Sequence, residues 1–171
     1  ELGQNDKALA AIETARASNP DDVGLIITAA NIYFELDNKE AFKLAMSEAI
    51  EKEPNNPVLY YNLGVVSGEL GEKEDAVSYY EKSIELDPSN ENSYLNLVAL
   101  ILDGEQEIVN EMNNLGTSRA DNLRYDELKK VREDLYKQCV PILKDLIAIN
   151  NNVEAIRTLM NIYGTLGDNP G

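Results

Sequence analysis

Histidine is absent from this chain of 171 residues, and cysteine occurs once, at Cys139. The commonest general base and metal ligand is therefore missing, and no disulfide or thiolate cluster can form within the chain. Neither a glycine-rich phosphate loop nor a Gly-x-Ser-x-Gly nucleophile motif occurs. Cys139 lies on an apolar stripe with no histidine to activate its thiol. The sequence thus predicts no enzyme, no metal and no cofactor.

Positive charge is also scarce. The chain has 15 Lys and Arg against 31 Asp and Glu, which gives a net charge of −16 and a pI near 4.3. Such a charge repels nucleic acid and anionic lipid, so neither is expected as a partner. The sequence also lacks the long uninterrupted apolar run that a membrane-spanning helix needs, and no membrane span is predicted.

What the sequence does contain is a regular period. Pro20, Pro54 and Pro88 are equally spaced, within the segments NPDD, EPNN and DPSN. A fixed period of about 34 residues is typical of repeats built from two helices, which stack on one another through a continuous apolar seam. The period therefore predicts an all-α repeat protein.

The segment 57–90 shows one unit most clearly. Its defining residues are, in order, Tyr60, Leu63, Gly64, Gly71, Ala76, Tyr80 and Pro88. Because Gly64 and Ala76 are small, two antiparallel helices can approach closely at these positions. Gly71 suits the left-handed turn between the helices, and Pro88 ends the second helix.

This order of an aromatic residue, Leu-Gly, a small residue, an aromatic residue and a proline resembles the tetratricopeptide repeat, in a bacterial type with an extended helical hairpin insertion. The resemblance implies a right-handed superhelical solenoid of antiparallel helix pairs. It divides the chain into a second helix at 1–22, repeats at 23–56, 57–90 and 91–152, and a first helix at 153–171. Since both ends fall within a repeat, the natural protein is expected to extend further on both sides or to carry disordered flanks.

The repeat at 91–152 departs from the pattern. Apolar residues continue from Tyr94 to Leu115, which predicts one helix about two turns longer than the repeat allows. Gly116 suits its C-terminus, and Ser118 or Asp121 can cap the helix that follows. The sequence thus predicts a helical hairpin over about 103–140. A kink is expected near Pro141, which removes a backbone hydrogen bond.

The resemblance implies that the first helix of each repeat lines a concave groove. The groove residues expected to bind a peptide are Asn31, Tyr61, Asn62, Asn96, Arg157 and Asn161. Asparagine amides offer both a donor and an acceptor, so a row of them can pair with an extended peptide backbone. An equally open interpretation is that Asn62 and Asn96 only follow the family consensus.

One family activity is argued against. Some members grip acidic C-termini with two asparagines and several cations, and Asn31 and Asn62 match the asparagine positions. The cationic positions are occupied here by Ile27, Asn92 and Asn96, which carry no charge. A basic or neutral protein or peptide is therefore the expected partner.

Two functions remain open at this point. The first is an interaction scaffold that holds a peptide in its concave groove. The second is a structural or assembly module that self-associates or docks through the hairpin. The charged residues of the hairpin can also be interpreted as an ordinary solvated face with ion pairs within each helix. A soluble protein is expected. The resemblance of segment 124–128 to bacterial repeat proteins favours the periplasm over the cytoplasm.

Overall fold

A computed structural model describes residues 2–167 of the chain. Within these residues the secondary structure is entirely helical, with nine helices and no strand. The helices are α1 (Leu2–Ser18), α2 (Val23–Glu35), α3 (Lys39–Lys52), α4 (Pro57–Glu69), α5 (Lys73–Leu86), α6 (Glu91–Ile101), α7 (Glu105–Asn114), α8 (Arg119–Asn150) and α9 (Val153–Leu166). No helix within this range is long and apolar enough to cross a membrane.

The chain divides into two compact units, Glu1–Asp87 and Pro88–Gly171. In the first unit, α1, α2, α3, α4 and α5 pack on one another in chain order. Turns of three residues join α2 to α3 and α4 to α5, so each of these pairs is antiparallel. This confirms the predicted all-α class of antiparallel helix pairs.

The sequence period reappears in the helix ends of the first unit. Asp22 caps α2 by accepting a hydrogen bond from the Leu25 amide, at 3.2 Å, and Asn56 caps α4 by accepting one from Val58, also at 3.2 Å. Equivalent caps make equivalent helices begin at the same point of each repeat.

The turns between paired helices recur with the same period. Asp37, with φ of 54°, follows α2, and Gly71, with φ of 78°, follows α4. Both residues occupy the left-handed region, and the expectation for Gly71 is confirmed.

Small residues allow α4 and α5 to approach closely along the seam between them. Gly64 lies against the ring of Tyr80, and Gly68 faces Ala76. The Ser83 hydroxyl donates to the Pro57 carbonyl at 3.0 Å, which fastens the end of α5 to the start of α4. Gly64 and Ala76 thus allow the close approach that the sequence predicted.

In the second unit the prediction of one long helix from Tyr94 to Leu115 is wrong. Helix α6 ends at Ile101, and α7 starts at Glu105 after Gly104, whose φ is 88°. The left-handed backbone at Gly104 stops the helix, although the apolar spacing runs on across the break. The expectation that Gly116 ends the helix is not met, because α7 already ends at Asn114 and the backbone of Leu115 is extended.

Helix α7 and the first half of α8 form a helical hairpin, and the bounds 103–140 stay a prediction. Glu111 pairs with Arg124 at 2.7 Å and Glu105 with Arg132 at 2.8 Å, so the two helices run antiparallel. Ser118 and the carboxylate of Asp121 form a capping box at the start of α8, which confirms the predicted caps.

Helix α8 continues through Pro141 to Asn150, and a kink at that proline stays a prediction. Its second half buries the single cysteine together with Tyr136, Leu143 and Leu146. It packs against α6 and α9. The last predicted segment, 153–171, corresponds to α9 as far as Leu166, and residues 168–171 lie outside the described residues. The division of the chain into the five repeat segments stays a prediction.

Candidate functional site

A cleft of about 270 Å³ opens between α2 and α4 in the first unit. We call it the α2–α4 cleft. Its lining residues are Asn31, Phe34, Phe42, Tyr61, Asn62, Val65 and Val66. Three of the predicted groove residues, Asn31, Tyr61 and Asn62, therefore meet in one concave site.

The repeat geometry places these side chains on one face. Asn31 in α2 and Val65 in α4 are separated by one period of the sequence, and the two helices start at equivalent caps. Asn31 is exposed and Asn62 is half-buried. Within residues 2–167 neither side-chain amide makes a hydrogen bond. Both amides can therefore donate to and accept from a ligand.

Aromatic rings form the apolar part of the cleft. Phe34 is 45% exposed, and its ring centroid lies 5.7 Å from that of the buried Phe42, at an interplanar angle of 56°. This tilted contact holds an exposed aromatic face in a defined position, because aromatic pairs favour such offset geometries. Phe34 thus presents a fixed apolar surface to solvent.

The ring of Tyr61, on α4, is positioned by its contact with Tyr80 of α5. Its ring centroid lies 6.2 Å from that of Tyr80, at an angle of 49°, and Tyr80 in turn lies against Gly64. The packing of α5 on α4 therefore determines where the Tyr61 ring stands in the cleft.

Helices α2 and α4, which supply every lining residue except Phe42 of α3, contain no lysine or arginine. Their only charged residues are Glu35 and Glu69, one at the C-terminal end of each helix. Glu69 pairs with Lys39 at 3.1 Å, and Glu35 accepts a hydrogen bond from Asn5 at 3.0 Å. The C-terminal end of a helix also carries a partial negative charge. The lining residues therefore offer apolar surface and amides, and none of them is a lysine or an arginine.

The other three predicted groove residues lie in the second unit, and none of them lines the α2–α4 cleft. Asn96 is half-buried in α6, while Arg157 and Asn161 are located on α9. Their part in a binding groove stays a prediction.

The sequence analysis missed Phe34 and did not assign Phe42 to the site. Phe34 stands three residues after Asn31 on the same helix, so it shares a face with that amide. An aromatic residue beside a predicted groove asparagine was the available signal. The ring of Phe34 remains exposed because of the way α3 packs, and the sequence pattern does not show this packing.

The single cysteine, Cys139, is buried in the second unit. Burial raises the pKa of the Cys139 thiol to about 11, and the nearby Glu105 carboxylate adds to this effect. The thiol is therefore protonated at neutral pH and is a poor nucleophile. Within residues 2–167 no three His, Cys, Asp or Glu side chains converge so that they could hold a metal ion.

Comparison with known proteins identifies the repeat. The family profile of the tetratricopeptide repeat matches residues 57–90. Curated protein sequences give no match. A solved protein from Bacteroides ovatus is similar with a TM-score of 0.66 and 22% identity, over 98% of this chain and 92% of the other.

Two further solved structures are described as tetratricopeptide-repeat proteins that bind peptides. YrrB, with an unusual peptide-binding site, is 17% identical with a TM-score of 0.54, over 98% of this chain and 80% of that one. The first repeat domain of Spaghetti (RPAP3), bound to the HSP90 peptide SRMEEVD, is 18% identical with a TM-score of 0.52. That match covers 85% of this chain and 95% of the other. These likenesses show the fold that the chain shares with such proteins.

Proposed function

We propose that the chain, which matches the tetratricopeptide-repeat profile at residues 57–90 and shares the fold of such proteins, is an interaction scaffold that holds an extended protein segment in the α2–α4 cleft. The observation that carries the proposal is the composition of that cleft. An exposed aromatic ring, Phe34, stands beside two side-chain amides, Asn31 and Asn62, that have no partner within residues 2–167. The peptide-binding activity of YrrB and Spaghetti supports the same use of the fold.

The chemistry of the cleft favours backbone recognition combined with one apolar anchor. An asparagine amide can donate to a peptide carbonyl and accept from a peptide N–H, whatever the side chains of the peptide are. A cleft of about 270 Å³ has room for a bulky side chain, which would lie against Phe34 and Tyr61. Aromatic residues in such positions dominate the binding energy of interfaces.

The charge of the site indicates a neutral or basic segment. The peptide bound to Spaghetti contains acidic residues, but α2 and α4 offer them no lysine or arginine. Glu35 and the C-terminal ends of both helices make one end of the cleft negative instead, whereas Glu69 is paired with Lys39. A basic side chain beside the apolar anchor would be attracted to that end. We further propose that Asn96, Arg157 and Asn161 take part in peptide binding on the second unit.

The proposal is tested by selecting peptides from a random displayed library on the immobilised chain and measuring their Kd with purified variants. We expect Phe34→Ala and Asn62→Ala each to weaken the selected peptides by about tenfold or more, as loss of an interface anchor does. The matched control is Leu44→Ala, which removes an exposed apolar side chain, 74% accessible, on α3 and outside the cleft. Equal Kd values for all three variants would show that the cleft is not the binding site. Circular dichroism confirms that each variant is folded.

A further inference from the structure

Two glutamates occupy equivalent positions at the ends of the helices that form the α2–α4 cleft. Glu35 ends α2 and Glu69 ends α4, one period of the sequence apart. Each accepts a contact from the preceding helix. Glu69 accepts from Lys39 of α3 at 3.1 Å, and Glu35 accepts from Asn5 of α1 at 3.0 Å. Because Asn5 and Lys39 are also one period apart, the repeat forms the same contact twice, once with a neutral amide and once with a cation.

The two contacts leave different charges at the two helix ends. The ammonium of Lys39 neutralises Glu69. The amide of Asn5 donates a hydrogen bond to Glu35 but carries no charge. Glu35 is exposed, and within residues 2–167 no lysine or arginine pairs with it. Glu35 therefore keeps its full negative charge, to which the C-terminal end of α2 adds a partial one.

This uncompensated carboxylate lies beside the apolar part of the cleft. Glu35 directly follows Phe34, the exposed ring of the cleft, although it does not itself line the cavity. An extended segment advances by about 3.3 Å per residue, and lysine and arginine carry their charge on long, flexible side chains. A cation one or two residues from a side chain held against Phe34 can therefore reach Glu35.

The surroundings of Glu35 favour such a cation. None of the residues that line the cleft is a lysine or an arginine, so no fixed positive charge competes with the ligand. The net charge of −16 attracts a basic segment during association. In the bound state, charges farther away than about 8 Å are largely screened at physiological ionic strength. The carboxylate of Glu35 is therefore the group that distinguishes a basic ligand from a neutral one.

We propose that Glu35 determines which segment the α2–α4 cleft accepts, by binding a lysine or arginine that lies one or two residues from the apolar anchor of the ligand. The proposal rests on the binding function proposed above and specifies the chemistry of the ligand. The anchor lies against Phe34 and Tyr61, and the cation forms an ion pair with Glu35. A segment with an acidic residue in place of the cation is repelled.

The first test repeats the selection of displayed peptides on the natural chain and on Asn5→Lys. That substitution gives Glu35 the cation that Glu69 already has in Lys39. We expect peptides selected on the natural chain to be enriched in lysine and arginine within two residues of a large apolar side chain. The enrichment should be absent from peptides selected on Asn5→Lys. Equal frequencies of basic residues in the two selections would overturn the proposal.

The second test measures the Kd of one selected basic peptide and of the same peptide with glutamine in place of its cation. Glu35→Gln and Asn5→Lys should each weaken the basic peptide by about threefold to fivefold, as loss of one exposed ion pair does. The peptide with glutamine should bind these variants and the natural chain equally. The matched control is Glu81→Gln, which changes the net charge by the same amount at an exposed residue of α5 outside the cleft. It should change the Kd by less than about 1.5-fold.

Phe34→Ala separates this inference from the function on which it rests. If Phe34→Ala weakens the basic peptide but Glu35→Gln has no more effect than Glu81→Gln, the cleft binds the peptide and Glu35 does not select it. If Phe34→Ala binds the peptide as well as the natural chain does, both the cleft and the role of Glu35 are wrong. Equal weakening of the basic and the glutamine peptide by Glu35→Gln would likewise show that no ion pair forms. Circular dichroism checks that each variant is folded.

Discussion

Gly64 and Tyr80 lie in contact across the seam between α4 and α5. A Cβ added at residue 64 would stand 2.7 Å from both Cδ1 and Cε1 of the Tyr80 ring. The ring has little room to move, because Tyr80 is 5% exposed and also packs against Tyr61. This contact links the core of the repeat to the α2–α4 cleft, since Tyr61 lines that cleft.

We predict that Gly64→Leu destabilises the chain by about 3 kcal/mol or more and that Gly64→Ala costs about 1–2 kcal/mol, because each forces the ring out of a packed position. The measurement is the free energy of unfolding in urea. The matched control is Gly164→Ala in α9, where an added Cβ meets no atom within 4 Å. This control should be neutral or stabilising by up to about 1 kcal/mol, because alanine favours a helix over glycine. Equal losses at residues 64 and 164 would contradict the assigned seam.

The Glu105 and Glu111 carboxylates should differ in their contribution to stability. Glu105 is 23% exposed and accepts from both Arg132 and Tyr136, while Glu111 is 45% exposed and pairs with Arg124. Glu105→Gln should cost about 1–3 kcal/mol, because it weakens two hydrogen bonds to a charged acceptor. Glu111→Gln should cost less than Glu105→Gln, because the ion pair of Glu111 with Arg124 is exposed to solvent. Urea denaturation of both variants compares them directly, and a larger loss at Glu111 would contradict this account.

The repeated features of the fold were predictable, because the same residue type recurs at the same offset. The small residues Gly64 and Ala76, and the turn at Gly71, each followed from the period. The break at Gly104 was not predicted. Ile101 and Ile108 are seven residues apart, a spacing that suits one face of a continuous helix equally well.

The candidate site was only half predicted. Asn31, Tyr61 and Asn62 follow from aligning the repeats, and the structure brings them into one cleft. Phe34 does not follow, because its exposure depends on how Phe42 of the next helix packs beneath it.

Cys139 should make stability fall at alkaline pH. Burial raises the pKa of its thiol from about 9 to about 11. Between these values the unfolded chain loses the thiol proton while the folded chain keeps it, so the folded state is disfavoured as pH rises. The free energy of unfolding should therefore decline more steeply from pH 9 to pH 11 in the natural chain than in Cys139→Ala. Parallel pH profiles for the two proteins would contradict the assigned burial.

The same burial predicts the reactivity of the thiol. At pH 8 the folded chain should react with iodoacetamide far more slowly than the chain unfolded in urea, because both access and thiolate are lacking. Mass spectrometry of the alkylated protein measures the difference. Rapid modification of the folded chain would show that Cys139 is accessible.

The outer part of the hairpin should be dispensable for the second unit. Between residues 107 and 130 only Leu128 is fully buried, whereas Tyr136, Leu143 and Leu146 belong to the core that remains. Glu105 and Arg132 stand opposite each other at 2.8 Å, so a short Gly-Ser turn can join the helices just beyond this pair. We predict that replacing residues 107–130 in this way lowers the Tm by less than about 5 °C, since about 1 kcal/mol is lost.

The shortened chain also tests whether the hairpin takes part in the peptide binding proposed for the α2–α4 cleft. Peptides selected on that cleft should bind the shortened chain with unchanged Kd, because every residue that lines the cleft is retained. Thermal circular dichroism and the Kd measurement check these expectations together. A broad, non-cooperative melt would show that the outer hairpin supports the core of the second unit. Loss of the peptides from a folded shortened chain would show that the hairpin takes part in binding them.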